Sequence, residues 1–316
     1  LVESTPKESK ITYGISSFKN ISQKKLKSFA HQIKMNFKEE GFSSRYTLPK
    51  GNENSLNSAA IKHNDLLINP NFELNILEYK NQTRLATTLE VQDFEEMSKR
   101  EYSRPSIDRK MGMLPIKLCR IMLNLAELEV GDTVWDPFCG SGTIVNEALY
   151  LGVNALGSDH NKNAVASTEK NIEWLSSEYD LGNVKYNVFN FDVLKPSRDI
   201  RKNLQNTDMD AVVCEPYMGP PQRKPLSMKE AAKLTEIVAN QYRALFKLID
   251  NDFRHQIKRV VLILPAYKLN KGYATFNLQK EISNYWDCEN SKYKGHLKWE
   301  RERSIIVRNI QIYSRK

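Results

Sequence analysis

Residues Val134–Thr143 read VWDPFCGSGT. Two apolar residues, an acid and a proline lead straight into a turn with glycine at 140 and 142. Glycine adopts backbone angles, and allows close approaches, that other residues forbid. A strand that ends in such a turn and continues as a helix presents backbone N–H groups to an electron-rich ligand. A phosphate, a nucleotide and a carboxylate all meet that description, so the flanking sequence has to separate them.

Outward from this stretch, strand and helix patterns alternate. DTVWDPF is followed by the helical TIVNEALYLG, NALGSD by KNAVASTEKNIEWL, and VKYNVFNFD by the strand DAVVCEPY. The long helical SMKEAAKLTEIVANQYRALFKLI then precedes KRVVLILP. Regular alternation of this kind predicts an α/β, Rossmann-like domain with a mostly parallel sheet covered on both faces. Ligands of such sheets sit outside the carboxyl ends of the strands, beside the switch in strand order.

Acids occupy those ends. Asp136 closes the first strand, and Asp159 closes the second, seventeen residues past Gly142, where a carboxylate can accept both hydroxyls of a ribose. Asp192 follows the third strand, and Glu215 opens EPYMGPP after the fourth. A Walker phosphate loop is excluded because no lysine follows the second glycine, and a GxGxxG fingerprint fails at Val145. A carboxylate at 136 repels a pyrophosphate and suits a ligand that carries positive charge. S-adenosylmethionine has an ammonium, a sulfonium, a ribose and an adenine, and no phosphate. Asp136, Phe138, Gly140, Gly142, Thr143, Asp159, His160, Asp192 and Glu215 are therefore the expected cofactor wall. Any one of these carboxylates alone reads more simply as a surface or capping residue. Four at successive strand ends carry the assignment.

Composition sets bounds around this core. The chain has 316 residues, 40% hydrophobic and 27% charged, enough for two domains with their own cores. Its longest apolar runs, such as VVLIL at 260–264, are strand-sized, so no membrane span is expected. Four dispersed cysteines (119, 139, 214 and 288) form no CxxC pair, which argues against zinc and for reduced thiols in a cytoplasmic protein. No metal is expected. The net charge of +9 favours a polyanionic partner. The last 26 residues hold eight Lys/Arg against two Glu, interleaved with Tyr293, His296, Trp299 and Tyr313. That mixture suits nucleic acid, whose phosphates meet cations and whose bases stack on rings. A solvated hairpin at the end of a sheet fits it equally well.

The first 100 residues differ in character. ITYGISSF alternates like a strand, and SQKKLKSFAHQIKMNFKEEG reads as a helix closed by Gly41, with Leu26, Phe29, Ile33 and Phe37 as its core stripe. FSSRYTLP and FELNILEYKNQTRLATTLEVQ supply strands around a helix at LNSAAIKHNDLL. This is a small α+β module without an acid–base constellation. Residues 94–115 are polar, carry Pro105 and Pro115, and read as a linker or docking segment.

DPFCGSGT followed by GSD, NFD and a proline-containing fourth-strand end resembles the class I methyltransferases that act on exocyclic amino groups. The preceding RPSIDRKMGMLPIKLCRIMLNLA resembles the lead-in of the THUMP-domain tRNA guanosine-N2 methyltransferases, the archaeal and eukaryotic family that modifies guanosine ten. The first 100 residues are more loosely similar to the THUMP module of that family. The resemblance implies a THUMP-like RNA-binding domain at 1–97, a linker at 98–115 and an S-adenosylmethionine-dependent domain with a seven-stranded sheet at 116–316. The family carries a further ferredoxin-like piece ahead of the THUMP module, so a truncated start is expected.

The resemblance implies methylation of a guanosine N2 in tRNA or another structured RNA. Lys24, Lys25, Lys27, Lys34 and Arg45 would grip the RNA backbone, and some relatives use a small activating subunit. One departure stands out. The fourth-strand motif of amino-methyltransferases is usually Asp/Asn-Pro-Pro-Tyr, whereas here it is Glu215-Pro216-Tyr217-Met218. The lone pair of guanine N2 is delocalised, so acceptors on its two N–H groups are needed to aim it at a methyl donor. Glu215 and the Pro216 carbonyl are the expected acceptors, with Tyr217 as a clamp for an extruded base. The longer Glu moves its carboxylate by about 1.5 Å. An adenine-N6 methyltransferase acting on DNA or RNA uses the same fourth-strand logic, and a non-catalytic RNA-binding protein could keep the fold as a scaffold.

Overall fold

A computed structural model describes residues 9–19, 21–51, 53–107, 113–293, 297–301 and 304–316. Part of the family-like lead-in (108–112) and His296 lie outside the described residues. The chain divides into two compact units, residues 1–97 and 98–316.

In the first unit, β1 (Lys10–Ser17), α1 (Gln23–Glu39), β2 (Ser43–Thr47), α2 (Ser58–His63), β3 (Phe72–Tyr79) and β4 (Gln82–Thr87) build a sheet in the order β2-β1-β3-β4. Only the β3–β4 pair is antiparallel. Its two-residue turn places Lys80 and Asn81 at φ of 48° and 61°, the geometry that matches the twist of a hairpin. Ser22 caps α1 by accepting the Lys25 N–H, and the helix lays Leu26 and Ala30 on the buried Ile11, Tyr13 and Ile15 of β1. Phe29, Ile33 and Phe37 flank that contact, as the apolar stripe predicts.

The unit boundary falls inside α3 (Phe94–Tyr102). The second unit continues with α4 (Ile116–Leu125), β5 (Thr133–Asp136), α5 (Thr143–Tyr150), β6 (Asn154–Asp159), α6 (Lys162–Glu178) and β7 (Tyr186–Asn190). Next come α7 (Arg198–Gln205), β8 (Ala211–Cys214), α8 (Met228–Asp252), β9 (Arg259–Lys268), β10 (Tyr273–Ala274) and α9 (Leu278–Ile282). The chain finishes with β11 (Trp286–Cys288), β12 (Lys298–Trp299) and β13 (Ile306–Arg315). The main path is β11-β13-β9-β8-β5-β6-β7, seven strands, with β10 and β12 attached to β9 and β13. β7, β6, β5, β8 and β9 are mutually parallel, and β13 runs antiparallel between β9 and β11. This is the α/β, Rossmann-like fold with a mostly parallel sheet.

Successive strand residues face opposite sides, so each central strand feeds two cores. Trp135, Val212 and Leu262 pack on one side with Tyr242 and Phe246 of α8. Val134, Val213 and Ile263 pack on the other with Val145 and Leu149 of α5 and Ile172 of α6. Burial on both faces explains why these strands read as unbroken apolar runs.

Two stretches gain definition beyond their sequence reading. Residues 98–107, expected within a linker, pack into the second unit. Arg100, 2% exposed, donates from Nε to Glu147 Oε1 at 2.8 Å and lies 3.8 Å over the Tyr150 ring. In the basic C-terminal stretch β12 and β13 pair antiparallel near the end of the sheet, with Lys298 exposed and β13 inserted between β9 and β11. Its Tyr313 is core, 1% exposed and edge-on to Phe246, and so is removed from any stacking role.

Candidate active site

The carboxyl ends of β5, β6, β7 and β8 lie side by side, and each delivers an acid. Asp136, last in β5, is 2% exposed, and its Oδ1 accepts the Phe138 N–H at 3.0 Å. Burial drives its carboxyl well above the ordinary range, the Phe138 N–H opposes this, and the nearby Asp159 and Glu215 raise it further. Among the described residues no cation pairs with it.

The loop after β5 is closed by its own bonds. Gly142 N–H donates to Cys139 O at 2.7 Å, and Cys139 N–H to Ser158 O at 2.9 Å. Gly140 N–H donates to Asp159 Oδ2 at 3.1 Å. The loop therefore does not hold an open row of N–H groups for a phosphate, because two carboxylates already take the Phe138 and Gly140 amides. Gly142 is the N-cap of α5 in the left-handed region, φ 81°. A Cβ there would meet Thr168 Cγ2 at 2.6 Å, so glycine is required by packing. Gly140, φ 54°, has no neighbour within less than 4.0 Å of such a Cβ. Its missing side chain opens space beside the acids.

Asp159 is shared between the loop and the turn after β6, since Oδ1 accepts the Asn161 N–H at 2.9 Å and lies 3.2 Å from the exposed His160 Nδ1. Asn190, at the end of β7, donates from Nδ2 to the carbonyls of Asp159 and His160, both at 2.9 Å, which fixes that turn. Asp192 follows two residues later and accepts the Leu194 N–H at 2.9 Å.

Glu215, directly after β8, is bound by a residue sequence reasoning passed over. Arg308 Nε of β13 donates to Glu215 Oε1 at 2.5 Å, and the two side chains are 10% and 15% exposed. Burial raises the Glu215 carboxyl, and the Arg308 charge and hydrogen bond pull it back down. The loop beyond it is anchored by the Tyr267 hydroxyl, which donates to Met218 O at 2.9 Å. Met218 packs against the core while Tyr217 stands 38% exposed.

Two more residues support the site without any motif to mark them. Asn171 of α6, fully buried, donates from Nδ2 to Ser141 O at 2.7 Å and Ser106 O at 2.8 Å, and accepts the Ser106 N–H at 2.9 Å. One amide thus staples the lead-in segment to the glycine loop. Arg104, 5% exposed, donates from Nη1 to Thr143 Oγ1 at 3.1 Å at the first turn of α5. The arrangement can hold a ligand with a cationic end and hydroxyl groups. It opposes a phosphate, because Asp136 and Asp159 take the Phe138 and Gly140 amides and place like charge in front of them. Among the described residues, no group of His, Cys, Asp and Glu is arranged to hold a metal, and no helix is long and apolar enough to cross a membrane.

Parts of the chain are similar to known proteins. Residues 106–219 match the family model described as UPF0020, RMKL-like, methyltransferase domain. A tRNA (guanine(10)-N2)-dimethyltransferase of Methanocaldococcus jannaschii is 26% identical over 254 residues, 79% of this chain and 59% of its own. The protein of the same name from Methanothermobacter thermautotrophicus is 33% identical over 109 residues, 34% of this chain and 28% of its own. The chain thus spans well under two thirds of the length of either relative. Among solved structures, TrmN from Thermus thermophilus aligns with 97% of this chain and 72% of its own at 12% identity and a TM-score of 0.47. The stretch matched by that methyltransferase domain model runs from the lead-in through the glycine loop to the Glu-Pro-Tyr-Met loop.

Proposed function

We propose that the protein is an S-adenosylmethionine-dependent methyltransferase acting on the exocyclic N2 of a guanosine in tRNA. The observation that carries this reading is the convergence of Asp136, Asp159 and Glu215 beside a glycine loop whose amides are already taken. Such a site selects a cationic cofactor without phosphate. Asp136 would face its ammonium, Asp159 its ribose hydroxyls and Asp192 its adenine end, while Gly140, Gly142, Phe138, Thr143 and His160 shape the wall. When bound, S-adenosylmethionine supplies an electrophilic methyl group on a sulfonium. The chain's part is to present the amine. Glu215 and the Pro216 carbonyl accept the two N–H bonds of the target, concentrating electron density on its nitrogen. Tyr217, 38% exposed and next in sequence, would stack on an extruded base.

Residues 1–97 would act as a THUMP-like RNA-binding domain, with the exposed Lys24, Lys25, Lys27, Lys34 and Arg45 on phosphates. A cytoplasmic location follows from a tRNA substrate, and the resemblance leaves room for an activating subunit. The choice of guanosine rests on the names of the two archaeal relatives. Transfer of tritium from labelled S-adenosylmethionine into bulk tRNA, followed by nucleoside analysis, tests the reading. Label in an N2-methylated guanosine supports it. Label on adenosine N6, or tRNA binding without transfer, overturns it. Glu215→Ala should slow transfer by about a hundredfold or more and leave cofactor affinity within about threefold.

A further inference from the structure

We propose that Arg308 is the positioning residue of this site: it keeps the Glu215 carboxylate ionised and ties down one of its oxygens, leaving the other for the target amine. The inference rests on the methyltransferase reading for its functional half only. Its structural half stands on the pair itself.

Glu215 sits where a shorter acid is usual in the proteins it resembles, and the extra methylene needs a reason. The geometry gives one. Arg308 lies on β13, opposite Pro265 of β9, so β9 stands between it and the end of β8. A side chain that must meet it has to span the width of a strand. The Nε–Oε1 distance is 2.5 Å, with both side chains largely buried. Among the described residues Oε2 accepts no hydrogen bond, so the pairing distinguishes the two oxygens. The guanidinium is itself held, because its Cζ lies 5.1 Å over the Trp299 ring of β12, and Trp299 is paired with Arg308 across the strands. Arg301 lies at the same distance from that ring. Arg308 is thus fixed on one side by an aromatic face and on the other by the carboxylate.

The remaining charged and titratable neighbours of Glu215 cannot do this. Asp136 from β5 adds negative charge, and Cys214 of β8 and Tyr242 of α8 are buried groups that Glu215 itself pushes toward their neutral forms. Arg308 is the one cation facing Glu215 among the described residues. Burial alone favours a neutral carboxyl, which would offer a hydroxyl donor where the amine needs an acceptor.

The test uses the full chain, with Arg308→Met, Arg308→Lys and Glu215→Gln. Carbon-13 at the glutamate carboxyls lets the Glu215 signal be identified by its loss in Glu215→Gln and titrated directly, without substrate. In Arg308→Met that titration should move to higher pH by about one pH unit or more, and Arg308→Lys should restore part of the difference. Methyl transfer to tRNA should follow: the acid limb of the pH–rate profile moves up in Arg308→Met, and the rate recovers at alkaline pH. Calorimetric affinity for S-adenosylmethionine should stay within about threefold, as expected for a residue outside the cofactor wall. An unmoved Glu215 titration overturns the inference. So does a moved titration with a rate that falls equally at every pH, which marks a merely structural pair. If the parent chain transfers no methyl group, the functional reading fails by itself, and the carboxyl titration still decides whether Arg308 governs Glu215.

Discussion

Gly140 and Gly142 look equivalent in the sequence, and the structure predicts opposite consequences for adding one methyl group to each. Both have left-handed φ, 54° and 81°, which costs alanine about 1–2 kcal/mol. At 142 the new Cβ also lies 2.6 Å from Thr168 Cγ2 and 3.0 Å from its Oγ1. Thr168 is fully buried, and its hydroxyl donates to Gly140 O at 2.9 Å, so it cannot swing aside without releasing the loop. Overpacking of that kind adds about 1–3 kcal/mol. Gly142→Ala should therefore destabilise residues 98–316 by about 2–5 kcal/mol, and Gly140→Ala by about 1–2 kcal/mol. All four tryptophans (135, 174, 286 and 299) lie in that unit, so urea unfolding followed by tryptophan fluorescence reads it alone. Adding Thr168→Ser to Gly142→Ala deletes the clashing methyl, keeps the hydroxyl, and should recover the overpacking part. The order reverses for the ligand: Gly140→Ala should lower S-adenosylmethionine affinity at least tenfold by calorimetry, because its Cβ enters open space beside the acids. Equal destabilisation at the two positions, or no recovery with serine at 168, would refute the reasoning.

Other expectations follow from buried charge. Asp136→Asn should abolish cofactor binding yet raise stability. Burial lifts the folded-state pKa of Asp136 above its unfolded value, so stability is lost as pH rises from the unfolded value through the folded one. The gain from asparagine should thus grow as pH rises through that window and vanish on acidification in urea titrations; a constant gain would count against it. Glu147→Gln removes the carboxylate charge 2.8 Å from the buried Arg100 Nε and should cost about 3–5 kcal/mol, whereas Arg100→Met with Glu147→Met should restore most of it. Asp159→Ala removes charge-assisted bonds to Gly140 and Asn161, each worth about 1.5–3 kcal/mol. It should weaken S-adenosylmethionine binding at least tenfold in a calorimetric titration, and unchanged affinity would dissociate Asp159 from the cofactor.

The parallel sheet and its acids were legible because each lies within one short stretch. A strand, its terminal acid and the following turn are encoded by neighbouring residues, as in VWDPFCGSG. What stayed hidden depends on long-range pairing. Arg308 and Glu215 are 93 residues apart, and Asn171 reaches Ser106 across 65. Nothing local marks either. The polar look of FEEMSKREY concealed a helix, because its buried residue is an arginine whose partner, Glu147, lies 47 positions away. In IIVRNIQIYSR the basic residues suggested a wet surface, although Ile310 and Ile312 are buried on one face of β13 and Val307 and Tyr313 on the other. Charge that is neutralised by a distant partner reads as exposure when only the sequence is in view.

The acids of the site arise from separate strands, and this makes the two halves of its specificity independently inheritable. Asp136 and Asp159 are coupled through one short loop, since Asp136 accepts its Phe138 amide and Asp159 its Gly140 amide, so neither can drift without disturbing the other. Among the described residues, the loop from Glu215 to Ser227 shares no hydrogen bond with them; its ties run to Arg308, to Tyr267 and, through the bridge at Leu226, to Leu269. A lineage could therefore rewrite that one connection and acquire a new acceptor base while its cofactor end stays under the same selection. Replacing an aspartate by glutamate there needs only an arginine on β13 to meet it. Divergence among such enzymes should accordingly accumulate after β8 and on β13 together, as paired changes, and remain sparse around the glycine loop.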